Sequence, residues 1–86
     1  MEIEYSRTAA RVLQRMPKDL RTAIRQAIQG LTETPPRGDI KPMQGYDDGR
    51  YRLRVGGYRV IYRYDNRGNA IVLCVLKVGS RGDIYK

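Results

Sequence analysis

The N-terminal third of the chain has the apolar spacing of one short strand followed by two amphipathic helices. Residues 1–5 alternate polar and apolar side chains, which predicts a strand with Ile3 and Tyr5 turned inward. Ser6 follows as a helix N-cap, because its hydroxyl can accept a hydrogen bond from a first-turn amide. Two successive segments then repeat apolar residues at helical spacing: Ala9, Val12, Leu13 and Met16, then Leu20, Ala23, Ile24, Ala27, Ile28 and Leu31. Pro17 ends the first helix and suits the first position of the second, so the pair is predicted to form a helical hairpin.

The C-terminal half of the chain has the period-two pattern of β-strands. Residues 50–55 alternate strictly, Gly56-Gly57 makes a two-residue turn, and residues 58–64 return as the second strand of a hairpin. A second turn over 65–69 leads into the nearly continuous apolar run 70–78, which is typical of a central strand.

Residues 32–49 lie between the helices and the hairpin, and their prolines and glycines predict an irregular surface connection. Ile40 and Met43 are candidates to anchor this connection to the core. The expected fold is therefore α+β: an N-terminal strand and an antiparallel helical hairpin packed on one face of a small, mainly antiparallel sheet. At 86 residues the chain is expected to form a single domain over 1–86.

The Gly-Gly turn sorts the hairpin into an apolar face and a basic face, since side chains alternate along a strand. The apolar face holds Tyr51, Leu53, Val55, Tyr58, Val60 and Tyr62, and the basic face holds Arg50, Arg52, Arg54, Arg59, Ile61 and Arg63. Arg54 would face Arg59 and Arg50 would face Arg63, and each like-charge pair opposes pairing by roughly 0.2–1 kcal/mol. No carboxylate within the hairpin relieves them. We therefore expect the compensating negative charge to come from outside the chain, from phosphates or from a partner's carboxylates, although a solvated polar face is the simpler alternative.

The net charge and the residue types that are scarce or absent reduce the range of possible functions. The net charge is +8, and most of the basic residues are arginines, which bind phosphate through two parallel hydrogen bonds. There is no histidine and only one cysteine, Cys74, so a structural zinc site and an internal disulfide are excluded. Cys74 lies in the apolar run and is expected to be a buried packing residue. A single cysteine suits a reducing compartment, and neither a signal peptide nor an apolar run of membrane-spanning length is visible, so we expect a cytoplasmic protein. So short a chain leaves little room for an enclosed pocket, and we expect no cofactor.

Two segments resemble the RelE family of the RelE/ParE toxin superfamily. They are Tyr-Arg-Leu-Arg-Val-Gly-Gly-Tyr-Arg-Val-Ile-Tyr (residues 51–62) and Val-Gly-Ser-Arg-Gly-Asp-Ile-Tyr (residues 78–85). The resemblance extends over nearly the whole chain, because its predicted strand, helical hairpin and C-terminal sheet follow the family's order. The resemblance implies a toxin of a type II toxin–antitoxin pair that cleaves mRNA in the ribosomal A site without a metal. It also implies a cognate antitoxin with an acidic or amphipathic segment, and contact with operator DNA only through that antitoxin.

The resemblance assigns roles to individual residues. Arg59 matches the arginine that neutralises the scissile phosphate, Arg81 matches the arginine that supports the leaving group, and Tyr85 matches the tyrosine that stacks on the cleaved nucleotide. Arg50 and Arg52 match positions that the best-known members fill with lysine, and arginine cannot serve as a general base there. With Arg54 and Arg63, they are expected to bind RNA.

The implied chemistry is attack of an RNA 2′-hydroxyl on the adjacent phosphorus. Clustered arginines supply the electrostatic stabilisation and alignment that such a reaction needs, while a histidine acid–base pair is impossible in this chain. We therefore expect a catalyst that is weak alone and depends on the ribosome to set the RNA geometry. Two alternatives stay open: a ParE-type inhibitor of DNA gyrase, and a catalytically inactive domain that binds only its antitoxin.

Overall fold

The apolar stripes of two helices cover one face of a five-stranded sheet in the computed structural model, which describes residues 1–80. In chain order the elements are β1 (Glu2–Tyr5), α1 (Arg7–Gln14), α2 (Lys18–Gly30), β2 (Asp39–Pro42), β3 (Tyr51–Val55), β4 (Tyr58–Arg67) and β5 (Ala70–Ser80). The strand order is β1-β5-β4-β3-β2, with β1 parallel to β5 and the other pairs antiparallel. The predicted α+β fold is confirmed.

Helix α1 has the predicted N-cap, and α2 begins one residue later than expected. The Ser6 hydroxyl accepts a hydrogen bond from the Ala9 amide at 3.0 Å, so the predicted N-cap is confirmed. The same hydroxyl donates to the Leu76 carbonyl at 2.7 Å and so ties the start of α1 to β5. Pro17 is the N-cap of α2 and not its first residue, because its carbonyl accepts the first helical hydrogen bond, from the Arg21 amide at 3.0 Å.

The sheet differs from the prediction in two places. The supposedly irregular connection contains β2, an edge strand whose residues pair with β3 over Asp39↔Arg54 to Pro42↔Tyr51. Such a short strand, largely exposed and ending in proline, carries too little apolar alternation to be recognised. The second turn is also shorter than predicted, since β4 continues to Arg67 and only Gly68-Asn69 separate it from β5. Ile40 packs on the core as expected.

The core lies between the helices and the inner face of the sheet. Its buried members are Ala9, Leu13, Ile24, Ile28, Leu31, Leu53, Val60, Tyr62, Leu73, Val75 and Val78. A β-bulge at Leu76 keeps this alternation in register: Ile61 pairs with Lys77, while Tyr62 pairs with Val75. Cys74 is buried as predicted, but it lies with Ile61 and Val72 on the outer face, outside the main core cluster.

Candidate functional site

The outer face of the sheet carries the arginines that the sequence singles out. Arg54 and Arg59 are directly opposite each other in the β3–β4 ladder, which confirms the predicted like-charge pair. Arg50 lies just before β3 and outside the ladder, so its predicted pairing with Arg63 is not formed. The charged residues of this face divide into two groups, which differ in whether the chain supplies carboxylates to them.

At one end of the outer face every arginine has an acidic partner. This matched end consists of Glu4, Asp48, Arg50, Arg63, Asp65 and Arg67. The expectation that the chain leaves Arg50 and Arg63 uncompensated is therefore wrong. Asp48 accepts three hydrogen bonds from Arg50: Nη2 to Oδ2 at 2.7 Å, and Nε to Oδ1 at 2.9 Å and to Oδ2 at 3.2 Å. Asp48 Oδ2 also lies 3.9 Å from Arg63 Nε. The hairpin sequence gives no sign of the Arg50 contact, because Asp48 precedes β3. Arg63 also has a partner within the hairpin, since β4 extends far enough to include Asp65, whose Oδ1 lies 3.7 Å from Arg63 Nη1.

Within the matched end, Arg67 links β4 to β1, the two strands that flank β5. Arg67 donates to both carboxylate oxygens of Glu4 in β1 and, through Nε, to Asp65 at 2.9 Å. These hydrogen bonds hold the pKa of Glu4 and of Asp65 below their ordinary values, and the hydrogen bond from Arg50 does the same to the pKa of Asp48. The three carboxylates consequently remain ionised and matched to their arginines.

The other end of the outer face has an excess of positive charge. This basic end consists of Lys41, Arg52, Arg54, Arg59 and Lys77, which neighbouring strands bring together through the pairs Lys41↔Arg52, Arg54↔Arg59 and Ile61↔Lys77. Asp39 is the acid nearest to it, and its Oδ1 lies 3.4 Å from Arg52 Nη2. That contact makes the expectation of uncompensated charge wrong for Arg52 as well. Within residues 1–80, no carboxylate lies within ion-pair distance of Arg54, Arg59, Lys41 or Lys77.

Arg59 has the least compensated guanidinium of the basic end. Its Nε and Nη1 atoms are buried, and neither has a hydrogen-bond partner among residues 1–80. Arg52 Nε is buried and unpartnered in the same way, and these are the only such side-chain atoms in the described part of the chain. Such a guanidinium is already partly desolvated, so it gives up less hydration free energy when it binds an anion. The lower local dielectric also strengthens its attraction to that anion.

The two remaining residues that the sequence assigns to the site, Arg81 and Tyr85, lie outside the described residues. β5 is described to Ser80, directly after the Arg59↔Gly79 pair. Sequence reasoning missed Lys41 and Lys77. Lys41 belongs to the unrecognised strand β2, and the Leu76 bulge hides the face on which Lys77 lies when the run 70–78 is read with strict alternation.

Neither a metal-binding cluster nor a membrane-spanning helix is found among residues 1–80. No three histidine, cysteine, aspartate or glutamate side chains among residues 1–80 are grouped so that they could hold a metal ion. No helix within the same range is both long and apolar enough to cross a membrane.

Comparison with known proteins places this arrangement in a family. Residues 3–85 match the family model of the ParE toxin of type II toxin–antitoxin systems, parDE. Toxin RelG of Mycobacterium tuberculosis is 30% identical over 84 residues, which span 98% of this chain and 94% of the relative.

Solved structures agree with that placement. The toxin–antitoxin complex RelBE2 of Mycobacterium tuberculosis superposes with a TM-score of 0.72 at 26% identity, covering 93% of this chain and 96% of that one. The archaeal RelE–RelB complex of Pyrococcus horikoshii OT3 gives a TM-score of 0.71 at 29% identity, covering 95% and 96%. The resemblance found in the sequence is thus confirmed, and the chain belongs to the RelE/ParE superfamily of type II toxin–antitoxin toxins.

Proposed function

We propose that this toxin cleaves mRNA on the ribosome through attack of a 2′-hydroxyl on the adjacent phosphorus. The observation that carries the proposal is the Arg59 guanidinium. Two of its nitrogens are buried without an acceptor in the described part of the chain, and it lies among four other cationic side chains. A phosphodiester supplies the negative charge and the acceptor oxygens that this group lacks. The RelE-type relatives support the same assignment.

In this reaction the O2′–P bond forms and the P–O5′ bond breaks, which leaves a 2′,3′-cyclic phosphate and a 5′-hydroxyl. Arg59 offsets the extra negative charge that builds on the phosphate oxygens during the attack. Arg52, Arg54, Lys41 and Lys77 attract the neighbouring phosphates and hold the strand across the outer face.

Arg81 and Tyr85 complete the proposed site, in the roles of leaving-group support and nucleotide stacking. Arg50 and Arg63 have a smaller part than the sequence suggests, because Asp48 and Asp65 already occupy their guanidinium groups. The ribosome would supply the alignment that an open sheet face does not impose on a flexible strand.

The proposed partner is a cognate antitoxin that covers the basic end with an acidic or amphipathic segment. The support is that solved relatives are complexes of RelE-type toxins with their RelB antitoxins. Operator DNA would be bound only through that antitoxin, and the toxin would act in the cytoplasm, where ribosomes and mRNA are found.

The test is a reconstituted translation reaction in which new mRNA 5′ ends are mapped by primer extension. Wild-type protein should cut the message, and Arg59→Ala should slow cleavage by about 10²–10³-fold, the effect of removing one donor that stabilises a transition-state oxyanion. Arg63→Ala is the matched control, since Arg63 lies on the same face of β4 but has its own carboxylates. It should change the rate by only a few fold. Equal loss in both variants would mean that general positive charge, and not Arg59, accounts for the activity.

Inhibition of DNA gyrase is the second candidate, and the observation in its favour is that the matching family model is that of the parDE toxin. The same preparation should therefore be added to a gyrase supercoiling assay. Intact message together with blocked supercoiling would replace the nuclease proposal with this one, and activity in neither assay would leave an antitoxin-binding domain.

A further inference from the structure

The loop between β2 and β3 places an aromatic side chain beside the basic end. Tyr46 is 48% exposed, which makes it one of the few large hydrophobic residues on the described surface. It neither joins the core cluster nor stacks with the tyrosines of the sheet. Fold stability therefore does not account for an aromatic residue at this position.

Arg50 and Asp48 hold this ring in place from one side. The Arg50 guanidinium carbon lies 4.1 Å from the centroid of the Tyr46 ring, a cation–π contact. Asp48 fixes the guanidinium in turn by accepting from both Nε and Nη2. The ring is thus a supported platform, although the loop that carries it has no regular secondary structure.

Tyr46 also lines a cleft of about 390 Å³ between the loop and the sheet. The other lining residues are Lys41, Pro42, Met43, Gln44 and Arg52. This volume lies within the range of small-molecule sites, and the wall combines apolar side chains with one amide and two cations. The Gln44 amide can both donate and accept a hydrogen bond, as the edge of a nucleobase requires.

Arg52 connects the cleft to Arg59. It lines the cleft, and in the β3–β4 ladder it is the diagonal neighbour of Arg59, at a spacing of roughly 7–8 Å. The cleft is therefore within reach of a nucleotide that flanks a phosphate bound at Arg59. Aromatic rings beside a track of positive charge are the usual way in which proteins bind single-stranded nucleic acid.

We propose that this cleft binds the base of a nucleotide flanking the scissile phosphate, stacked on Tyr46 and hydrogen-bonded by Gln44. The inference rests on the proposed function, because it names a subsite of the same RNA. It gives Arg50 a new role, that of a positioning residue behind the aromatic ring. An acidic protein segment fits less well, since a carboxylate would satisfy Lys41 and Arg52 but would leave the supported ring unused.

The experiment combines protein variants with RNA that lacks one base. Programmed ribosomes carry either intact mRNA or mRNA with an abasic nucleotide on the 5′ or the 3′ side of the cleavage site. Tyr46→Ala should slow cleavage of intact RNA by roughly 5- to 150-fold, the range found when a stacked aromatic is removed. Tyr46→Phe keeps the ring and should stay within about twofold. Ile71→Ala is the matched control, because Ile71 is equally exposed, at 47%, but does not line the cleft.

The decisive result is non-additivity. One of the two abasic positions should slow the wild-type protein as much as Tyr46→Ala does, and it should have little further effect on that variant. Additive effects at both positions would overturn the subsite, even if Arg59→Ala still slows cleavage by about 10²–10³-fold and so leaves the proposed function standing.

If the wild-type protein does not cut, the proposed function fails, and binding then decides the subsite separately. A fluorescein-labelled single-stranded oligoribonucleotide is titrated with each purified variant and followed by fluorescence anisotropy. Weaker binding by Tyr46→Ala, but not by Ile71→Ala, would retain a nucleobase site in the cleft. Equal binding by the two would remove it.

Discussion

Replacing Arg59 with methionine should make the protein more stable while slowing the proposed cleavage by about 10²–10³-fold. Methionine keeps a long, flexible apolar side chain in place of the arginine stem but removes the guanidinium. Two nitrogens of that guanidinium are buried and have no hydrogen-bond partner within residues 1–80, and the guanidinium faces Arg54 across the ladder. Both features oppose folding, so their removal should raise the free energy of unfolding.

The expected gain follows from these two contributions. A buried polar group without a partner costs about 1–3 kcal/mol, and we count the guanidinium of Arg59 once because its nitrogens share one charge. The cross-strand repulsion adds roughly 0.2–1 kcal/mol. Arg54→Met is the control that separates the two, since it removes the same repulsion from an exposed side chain that has no buried unpartnered nitrogens. It also removes the cross-strand pairing of Arg54 with Asp39, which offsets part of that gain.

Thermal unfolding followed by circular dichroism measures the difference between the two variants. In a domain of this size 1 kcal/mol corresponds to a shift in Tm of about 4–8 °C. Arg59→Met should therefore melt at least about 4 °C above Arg54→Met. Arg54→Met should itself lie close to wild type, because the relieved repulsion with Arg59 and the lost pairing with Asp39 are of similar size. A lower Tm for Arg59→Met than for Arg54→Met would refute the reasoning, because it would mean that the guanidinium of Arg59 is satisfied in the folded protein.

Four further outcomes concern the scaffold. Leu53→Ala should lower the free energy of unfolding by about 2–5 kcal/mol in urea titrations, because Leu53 is only 1% exposed; a loss below 1 kcal/mol would contradict the assigned core. Ser6→Ala should cost about 1 kcal/mol through the lost N-cap, and an unchanged urea midpoint would argue against the capping bond. Gly38→Ala should destabilise by about 1–3 kcal/mol more than Gly45→Ala, since both have positive φ but only at Gly38 would a Cβ lie 2.6 Å from the Leu53 Cδ1 atom; equal losses would exclude the clash. Finally, Tm should fall as the pH drops below about 4, because the pKa of Glu4 is lowered by folding and the stabilisation present above its unfolded-state value is lost as the group is protonated; Glu4→Gln should flatten this dependence, and an unchanged slope would show that the carboxylate does not contribute.

The sequence alone predicts the elements whose side-chain pattern is strong. Both helices, the inward residues of the β3–β4 hairpin and the Arg54–Arg59 pair follow from regular spacing and from a Gly-Gly turn that fixes the register. The inner face of a hairpin can be derived in this way because its alternation is enforced by burial. The arginines of the outer face are predicted for the same reason, as the complement of the buried set.

What the sequence did not predict depends on residues that are distant along the chain. Asp48 and Asp39 neutralise arginines of the hairpin from a loop and from an edge strand, and neither position has a pattern that indicates this contact. Tyr46 looks like an ordinary loop residue until the structure places it against Arg50 and beside the cleft. Predicting which positive charges remain unmatched requires the tertiary fold, because matching depends on distances between elements.

The parallel pairing of β1 with β5 has a consequence for synthesis on the ribosome. The first strand to be made must wait for the last one described, since Ile3 pairs with Leu73 and the Ser6 hydroxyl reaches Leu76, 70 positions away along the sequence. A contact of such long range forms late, after the entropy of closing the intervening chain has been lost. A nascent toxin therefore cannot complete its sheet, or bring the cations of β2 to β5 together on one surface, until β5 has been synthesised and has left the ribosome.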